Sequence, residues 1–346
     1  MGTIILHVGM PKAGSSSIQH WLGEHAEWLR DQGMHPVRVV KSARDSPIEV
    51  VPSTNGRGKS LLFPALMHAA YRVAGAQRLV EALDACARRD GTIILSNEGY
   101  ELLLQVEDSR LRSELDSLAD VHVVRIVYYV RPQHTWLDAA WRQWGFRHTD
   151  KPSQWLARQE PRLRYLRTLQ AVRSEAPRLA FDMRPFRGDL LEGRDVVTDF
   201  GKGVLGLDTV PPLRRNDGWS NRGFPLELAI LLRDAPPGLF WSSLHDNATI
   251  DRIKQGVLEW QVSESPSIEA SRAVLQSYCF DVYEPDNRVL IEQCGWDTRN
   301  FVPPVETAVD VGGDLAKLDD LWCSSASESE RQLIFRAIEQ MVVEAG

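Results

Sequence analysis

The chain has 346 residues, 43% of them hydrophobic and 25% charged, a composition ordinary for a globular protein and long enough to bury a large core. A net charge of −7 argues against a general nucleic-acid binder, because such proteins neutralise phosphates with an excess of Lys and Arg over the whole binding face, so any anion site here has to be local. The four cysteines, Cys86, Cys279, Cys294 and Cys323, form no C-x-x-C pair and so suggest neither a disulfide framework nor a zinc knuckle.

At the start of the chain, Thr3 to Val8 is a short apolar run rich in β-branched residues and predicts a buried strand. It shows no secretory pattern, since Ile4 to Leu6 are followed at once by His7 and Gly9. No later run approaches the roughly 20 apolar residues of a membrane span, so the expected location is cytoplasmic. Beyond the loop, Ile18, Trp21, Leu22, His25 and Leu29 recur at helical spacing, and Ser16 with Gln19 has the form of a capping box, which predicts a helix start at Ser16.

Further strands are expected at His35 to Val40, Thr92 to Ser96, Val121 to Val130 and Arg178 to Met183, each followed by a loop or a polar helical stretch. This alternation predicts an α/β fold with a mostly parallel central sheet and helices on both faces. Lys41 to Ser60 is a long polar connection and a candidate lid or substrate loop. From Phe224 onward the strand pattern fades, and Leu226 to Arg233, Ile250 to Val262 and Ile268 to Tyr283 read as helices. With no isolating linker, the expectation is a single domain over residues 1–346, with a sheet core over about 1–220 and a helical C-terminal half packed on it; Pro211 to Arg222 is its weakest joint.

Between the first strand and helix lies Gly9-Met10-Pro11-Lys12-Ala13-Gly14-Ser15-Ser16-Ser17. Successive backbone N–H groups and the positive end of a helix dipole converge there on one point, which suits a phosphate. The glycines allow close backbone approach, Lys12 adds a mobile charge, and the hydroxyls of Ser15, Ser16 and Ser17 can donate to ligand oxygens. An ATP-type loop places Lys directly after its second glycine, whereas here that position is Ser15 and the lysine lies inside the loop. Gly56-Arg57-Gly58-Lys59-Ser60 carries a G-K-S ending but has Ser53 in place of the first glycine.

Two other strand ends carry polar chemistry. The strand Val121 to Val130 runs into Arg131-Pro132, and Thr92 to Ser96 runs into Asn97-Glu98. In an open parallel sheet the ligand crevice lies outside the carboxyl ends of the strands, so Glu98 is expected to face the crevice of Lys12 and Arg131. A glutamate there can act as a base if burial or a like charge raises its pKa; the alternative is a helix cap. His7, His122 and His134 are weaker candidates for the base, His7 reading as a core histidine. Trp136, Trp141, Trp144 and Trp155, at helical spacing, suit a core better than a sugar-stacking wall.

The loop pattern G-x-x-K-x-G-[ST]-[ST], with Tyr128-Tyr129-Val130-Arg131-Pro132-Gln133 and Ser96-x-Glu98, resembles the PAPS-dependent sulfotransferases, particularly bacterial members. The likeness spans roughly residues 3 to 220, and Arg184-Pro185-Phe186 and Asn216-x-x-x-Ser220 also look like recurring features of that family. It implies a three-layer, P-loop-NTPase-like fold and PAPS (3′-phosphoadenosine 5′-phosphosulfate) as sulfuryl donor, with PAP as product. Residues Pro11, Lys12, Ala13, Gly14, Ser15, Ser16 and Ser17 would hold the 5′-phosphosulfate and Arg131 the 3′-phosphate. Lys12 and Glu98 would be catalytic. A serine expected eight residues after the arginine is Ala139 here, with Thr135, Arg142 or an arginine of the 214–222 stretch as substitutes. The resemblance implies no metal, and a hydroxyl or amine acceptor such as a carbohydrate or small metabolite. Two other readings stay open: a magnesium-ATP kinase or hydrolase, and a non-catalytic nucleotide-binding relative, which Ala139 favours.

Overall fold

A computed structural model of the protein describes residues 1–40, 49–53, 69–105, 109–147, 151–213, 226, 229–230, 266–304, 314–322, 332 and 335–336. By its contacts the chain divides into two compact units. The first holds Met1–Pro132, Arg164–Arg214 and Asp286–Phe301; the second holds Gln133–Leu163, Arg215–Pro285 and Val302–Gly346.

The first unit is built on a six-stranded sheet of β1 (Thr3–Gly9), β2 (Met34–Val40), β3 (Glu49–Pro52), β4 (Thr92–Ser96), β5 (Val123–Val130) and β6 (Ala180–Pro185). Their order is β3-β2-β4-β1-β5-β6. All neighbours pair in parallel except β2 and β3, which are antiparallel. The protein is therefore an α/β structure with a mostly parallel sheet. Ile4 to Val8 and Ile126 to Val130 are buried at every position, as expected of inner strands covered on both faces. Truncating one such residue, Ile126→Ala, removes a side chain with no exposure and should cost about 2–5 kcal/mol.

Helices of this unit are α1 (Ser15–Glu24), α2 (Ala26–Asp31), α3 (Ala69–Asp90), α4 (Tyr100–Gln105) and α5 (Arg110–Leu118). In the second unit lie α6 (Gln133–Trp141), α7 (Pro152–Ala157) and α8 (Glu160–Leu163). The first unit resumes with α9 (Tyr165–Glu175) and the short α10 (Val196–Asp199), which runs on into a π-helical turn, Phe200–Val204. Around the sheet, α1 packs against α10, while α3, α4, α5 and α9 pack among themselves.

Among the described residues no strand follows α10. A long helix, α11 (Pro266–Cys294), covers the expected Ile268 to Tyr283 stretch, whereas Ile250 to Val262 and most of Leu226 to Arg233 lie outside the described residues. Of the stretch read as the weakest joint, Arg214 to Arg222 lies outside the described residues. Just before it, the carbonyls of Pro211 and Pro212 accept from Trp21 Nε1 (2.9 Å) and approach His25 Nε2 (3.2 Å) on α1.

Around α12 (Lys317–Leu321) the second unit has a tryptophan core. Trp136, Trp141, Trp155 and Trp322 are buried, with Trp141 stacked 4.8 Å from Trp322 and edge-on to Trp155 at 5.6 Å. Asp319 ties α12 to α7 by accepting from the backbone N–H (2.9 Å) and hydroxyl (2.8 Å) of Ser153. These indoles are packing residues rather than a sugar-binding wall.

Two expectations are corrected. Within the 41–60 connection, Glu49–Pro52 is an edge strand; Pro52 ends it, and a proline is tolerated on an edge because only one side needs ladder bonds. Its other residues, with the Gly56–Ser60 loop, lie outside the described residues. The helix α1 starts at Ser15, its N-cap is Gly14, and no side chain caps it. The Ser16–Gln19 box does not form, and Gln19 Nε2 lies 3.5 Å from Ser96 O instead.

Candidate anion-binding site

The loop after β1 sits at the carboxyl end of the sheet, beside the ends of β4 and β5. It is pinned from both neighbours: Met10 N donates to Tyr129 O (2.8 Å) on β5, and Asn97 N, just past β4, donates to His7 O (2.8 Å). Two glycines permit this packing. Gly9 has φ of +120°, and a Cβ on it would stand 2.8 Å from Glu98 O. Gly14 has φ of +79°, and a Cβ there would stand 2.8 Å from both Phe186 Cε2 and Val196 Cγ1.

Lys12 is also left-handed, with φ of +67°, a conformation that a non-glycine residue adopts at some cost and that bends successive N–H groups into a concave nest. The hydroxyl of Ser15 is buried and donates to Met10 O (2.9 Å), so it braces the loop and is not available to a ligand as expected. The first N–H groups of a helix have no partner within it. At α1 those of Gly14, Ser15 and Ser16 have no backbone acceptor among the described residues, whereas Ser17 N and Ile18 N return to Gly14 O. Three consecutive donors at the positive end of a ten-residue helix can chemically serve as an anion cradle.

Arg131, directly after β5, reaches this loop and donates from Nη1 to Lys12 O at 3.0 Å. Its own carbonyl accepts from Tyr165 Oη (2.8 Å), and its guanidinium stands 5.9 Å from the Phe186 ring centre. The two motifs read from the sequence as anion-binding are thus joined by a hydrogen bond at the ends of adjacent strands. Lys12, Glu98 and Arg131 are all half-buried. Glu98 lies at the end of β4, next to the loop through its backbone contact with Gly9. Ala139 is buried on α6 of the second unit, where Arg142 pairs with Asp138 at 2.5 Å; the arginines of the 214–222 stretch are outside the described residues.

Beneath the loop is a network that the sequence did not disclose. Asp199, 3% exposed, accepts from Tyr129 Oη (2.5 Å), Arg184 Nε (2.8 Å) and Nη2 (3.0 Å), and Glu192 N (3.0 Å). Burial pushes its carboxyl up, but the bonds from Arg184, Tyr129 and the Glu192 N–H outweigh this and hold it below the usual carboxylate range. Burial, with the Asp199 charge, raises the Tyr129 phenol. Arg184 precedes Phe186 by two residues and Asp199 follows Val196 by three, so the ion pair bolts together the two walls that hold Gly14. That gives Arg184-Pro185-Phe186 a structural role.

The histidines sort by position. His122 lies at the opposite, amino end of the strands, where its Nδ1 accepts from Gly2 N (2.9 Å) and its Nε2 meets Asp84 Oδ1 (2.7 Å); it is not a site base. His134 belongs to the second unit. His7 is fully buried between the rings of Tyr129 and Phe200, with Nδ1 2.7 Å from Ser96 Oγ. Burial drives its pKa down to about 3, so it is neutral near pH 7, and its Nε2 has no hydrogen-bond partner among the described residues.

No helix among the described residues is long and apolar enough to cross a membrane. Neither a family model, a curated protein nor a solved structure matches the chain.

Proposed function

We propose that the protein is a P-loop-like, PAPS-dependent sulfotransferase, transferring a sulfuryl group to a hydroxyl or amine of a small-molecule or glycan acceptor. The observation that carries this reading is the hydrogen bond from Arg131 to Lys12 O, which sets a second cation beside a loop whose Gly14, Ser15 and Ser16 N–H groups have no backbone acceptor among the described residues. A donor with phosphates at both its 3′ and 5′ positions needs two neighbouring anion sites, whereas a simple phosphate needs one.

In the reaction, the acceptor oxygen or nitrogen bonds to sulfur while the bond from sulfur to the 5′-phosphate oxygen breaks. Glu98 takes the acceptor's proton, and Lys12 neutralises the charge gathering on the departing oxygen. The loop N–H groups hold the 5′-phosphate, and Arg131 holds the 3′-phosphate. Positioning and fixed electrostatics supply the catalysis, as in phosphoryl transfer. The Asp199–Arg184 pair holds the loop in place without touching substrate.

Calorimetric titration with PAP beside magnesium-ATP tests this. Micromolar PAP binding, lost in Lys12→Ala and Arg131→Ala, is the expected result, and Glu98→Gln should keep PAPS binding while losing turnover. Binding of magnesium-ATP alone would overturn the reading.

A further inference from the structure

Tyr165 touches both halves of the anion site. It opens α9, is 1% exposed, and its hydroxyl donates to Arg131 O (2.8 Å) while lying 3.4 Å from Met10 Sδ. One phenol therefore meets both the loop after β1 and the residue that follows β5. From Arg131 the guanidinium returns to the loop at Lys12 O (3.0 Å), so Tyr165, Arg131 and the Met10–Lys12 segment form a closed ring of contacts.

The place of Arg131 needs such a tie. Val130 O accepts from Phe186 N (2.6 Å), and the next carbonyl, Arg131 O, stands beyond the β5–β6 register, which ends at Val130 and Pro185. An arginine side chain is long and rich in rotamers, so where its guanidinium rests depends on how firmly its backbone is held. The Tyr165 ring is itself fixed from behind. Phe301, fully buried, meets it edge-on at 6.3 Å, and Trp296 packs on Phe301 at 5.1 Å while donating from Nε1 to Met183 O on β6 (3.3 Å). All of these residues belong to the first unit. Packing accounts for the ring, which phenylalanine would supply as well. A buried hydroxyl costs stability unless it is bonded, and here its bond is to Arg131.

We infer that Tyr165 is a positioning residue for the 3′-phosphate: by holding Arg131 O against the loop, it sets the spacing between the Arg131 guanidinium and the N–H cradle. The assignment rests on the sulfotransferase reading, in which these two groups take the two phosphates of one nucleotide. Tyr165 acts through Arg131 and does not touch substrate.

The test compares affinities of the whole protein for PAP and for AMP, which lacks only the 3′-phosphate. Tyr165→Phe keeps the ring and should stay within a few degrees of the parent melting temperature. Its PAP affinity should fall about 5- to 10-fold while its AMP affinity changes by no more than about twofold. In an Arg131→Ala background the same substitution should lower PAP affinity no further, because the two residues act in series. Equal losses for PAP and AMP, or losses that add to those of Arg131→Ala, would show a purely structural role and overturn the assignment, as would an unchanged PAP affinity. A parent protein with no preference for PAP over AMP would instead remove the sulfotransferase reading itself, a result distinct from all of these.

Discussion

The two ends of the sheet treat their buried polar groups differently. At the amino ends of the strands, every nitrogen of His122 is occupied, by Gly2 N and Asp84, and Asp116 accepts from both the backbone (2.9 Å) and guanidinium (2.8 Å) of Arg178. At the carboxyl ends, His7 Nε2 and Asn97 Nδ2 are buried with no hydrogen-bond partner among the described residues, and the Gly14, Ser15 and Ser16 N–H groups have no backbone acceptor among them. Folding alone accounts for the first pattern, because satisfied polar groups stabilise a structure. The second pattern lowers stability at the one end where ligands of open parallel sheets bind. Unsatisfied groups and left-handed Lys12 therefore fall at the same strand ends as the motifs.

Breaking the support beneath the site should have the largest effect. Asp199→Ala leaves the half-buried Arg184 guanidinium, the Tyr129 hydroxyl and the Glu192 N–H without this shared acceptor and should cost about 3–5 kcal/mol in a urea melt. PAP affinity should fall with it, since Gly14 loses one of its walls. A loss confined to stability would show that the loop holds its shape without this network.

The His7 environment should appear in the pH dependence. Its pKa is depressed in the folded state, to about 3 from an ordinary 6.5, so the unfolded chain binds the proton more readily. Its contribution to stability is complete above pH 6.5 and is lost progressively as pH falls toward 3. Between pH 6.5 and 5 the native protein should lose about 2 kcal/mol more than a His7→Gln variant, measured by denaturant titration at each pH. Parallel curves would refute the neutral, unprotonated His7.

A smaller contrast comes from the opposite end. His122→Ala leaves Gly2 N and Asp84 without their partner and should cost about 1–3 kcal/mol of stability, yet leave PAP affinity unchanged. Arg131→Ala should do the reverse, weakening PAP by roughly 10- to 100-fold through loss of a charge-assisted contact with little change in melting temperature. If both variants moved affinity equally, the division between the two ends would fail.

β1, β4 and β5 were legible because inner parallel strands are continuous apolar runs, β2 and the edge strand β6 only from shorter apolar stretches, and Gly9 and Gly14 marked the first turn. β3 was not, since four residues ending in proline carry little apolar pattern. The capping box misled because Ser16 and Gln19 match it in spacing alone, while the left-handed Gly14 sets the helix start. Lys12, Glu98 and Arg131 stood out as polar residues at strand ends. Asp199 did not, because its partners Tyr129 and Arg184 are far away in sequence and no local spacing links them. Asn97 was visible only as a turn residue; its idle N–H is a property of packing.

A crystal structure with PAP bound is the most direct measurement. The expected result places 5′-phosphate oxygens within hydrogen-bonding distance of the Gly14, Ser15 and Ser16 N–H groups, with the 3′-phosphate on Arg131. PAP bound elsewhere, or a cradle left unfilled at saturating PAP, would contradict the assignment of this strand end as the nucleotide site.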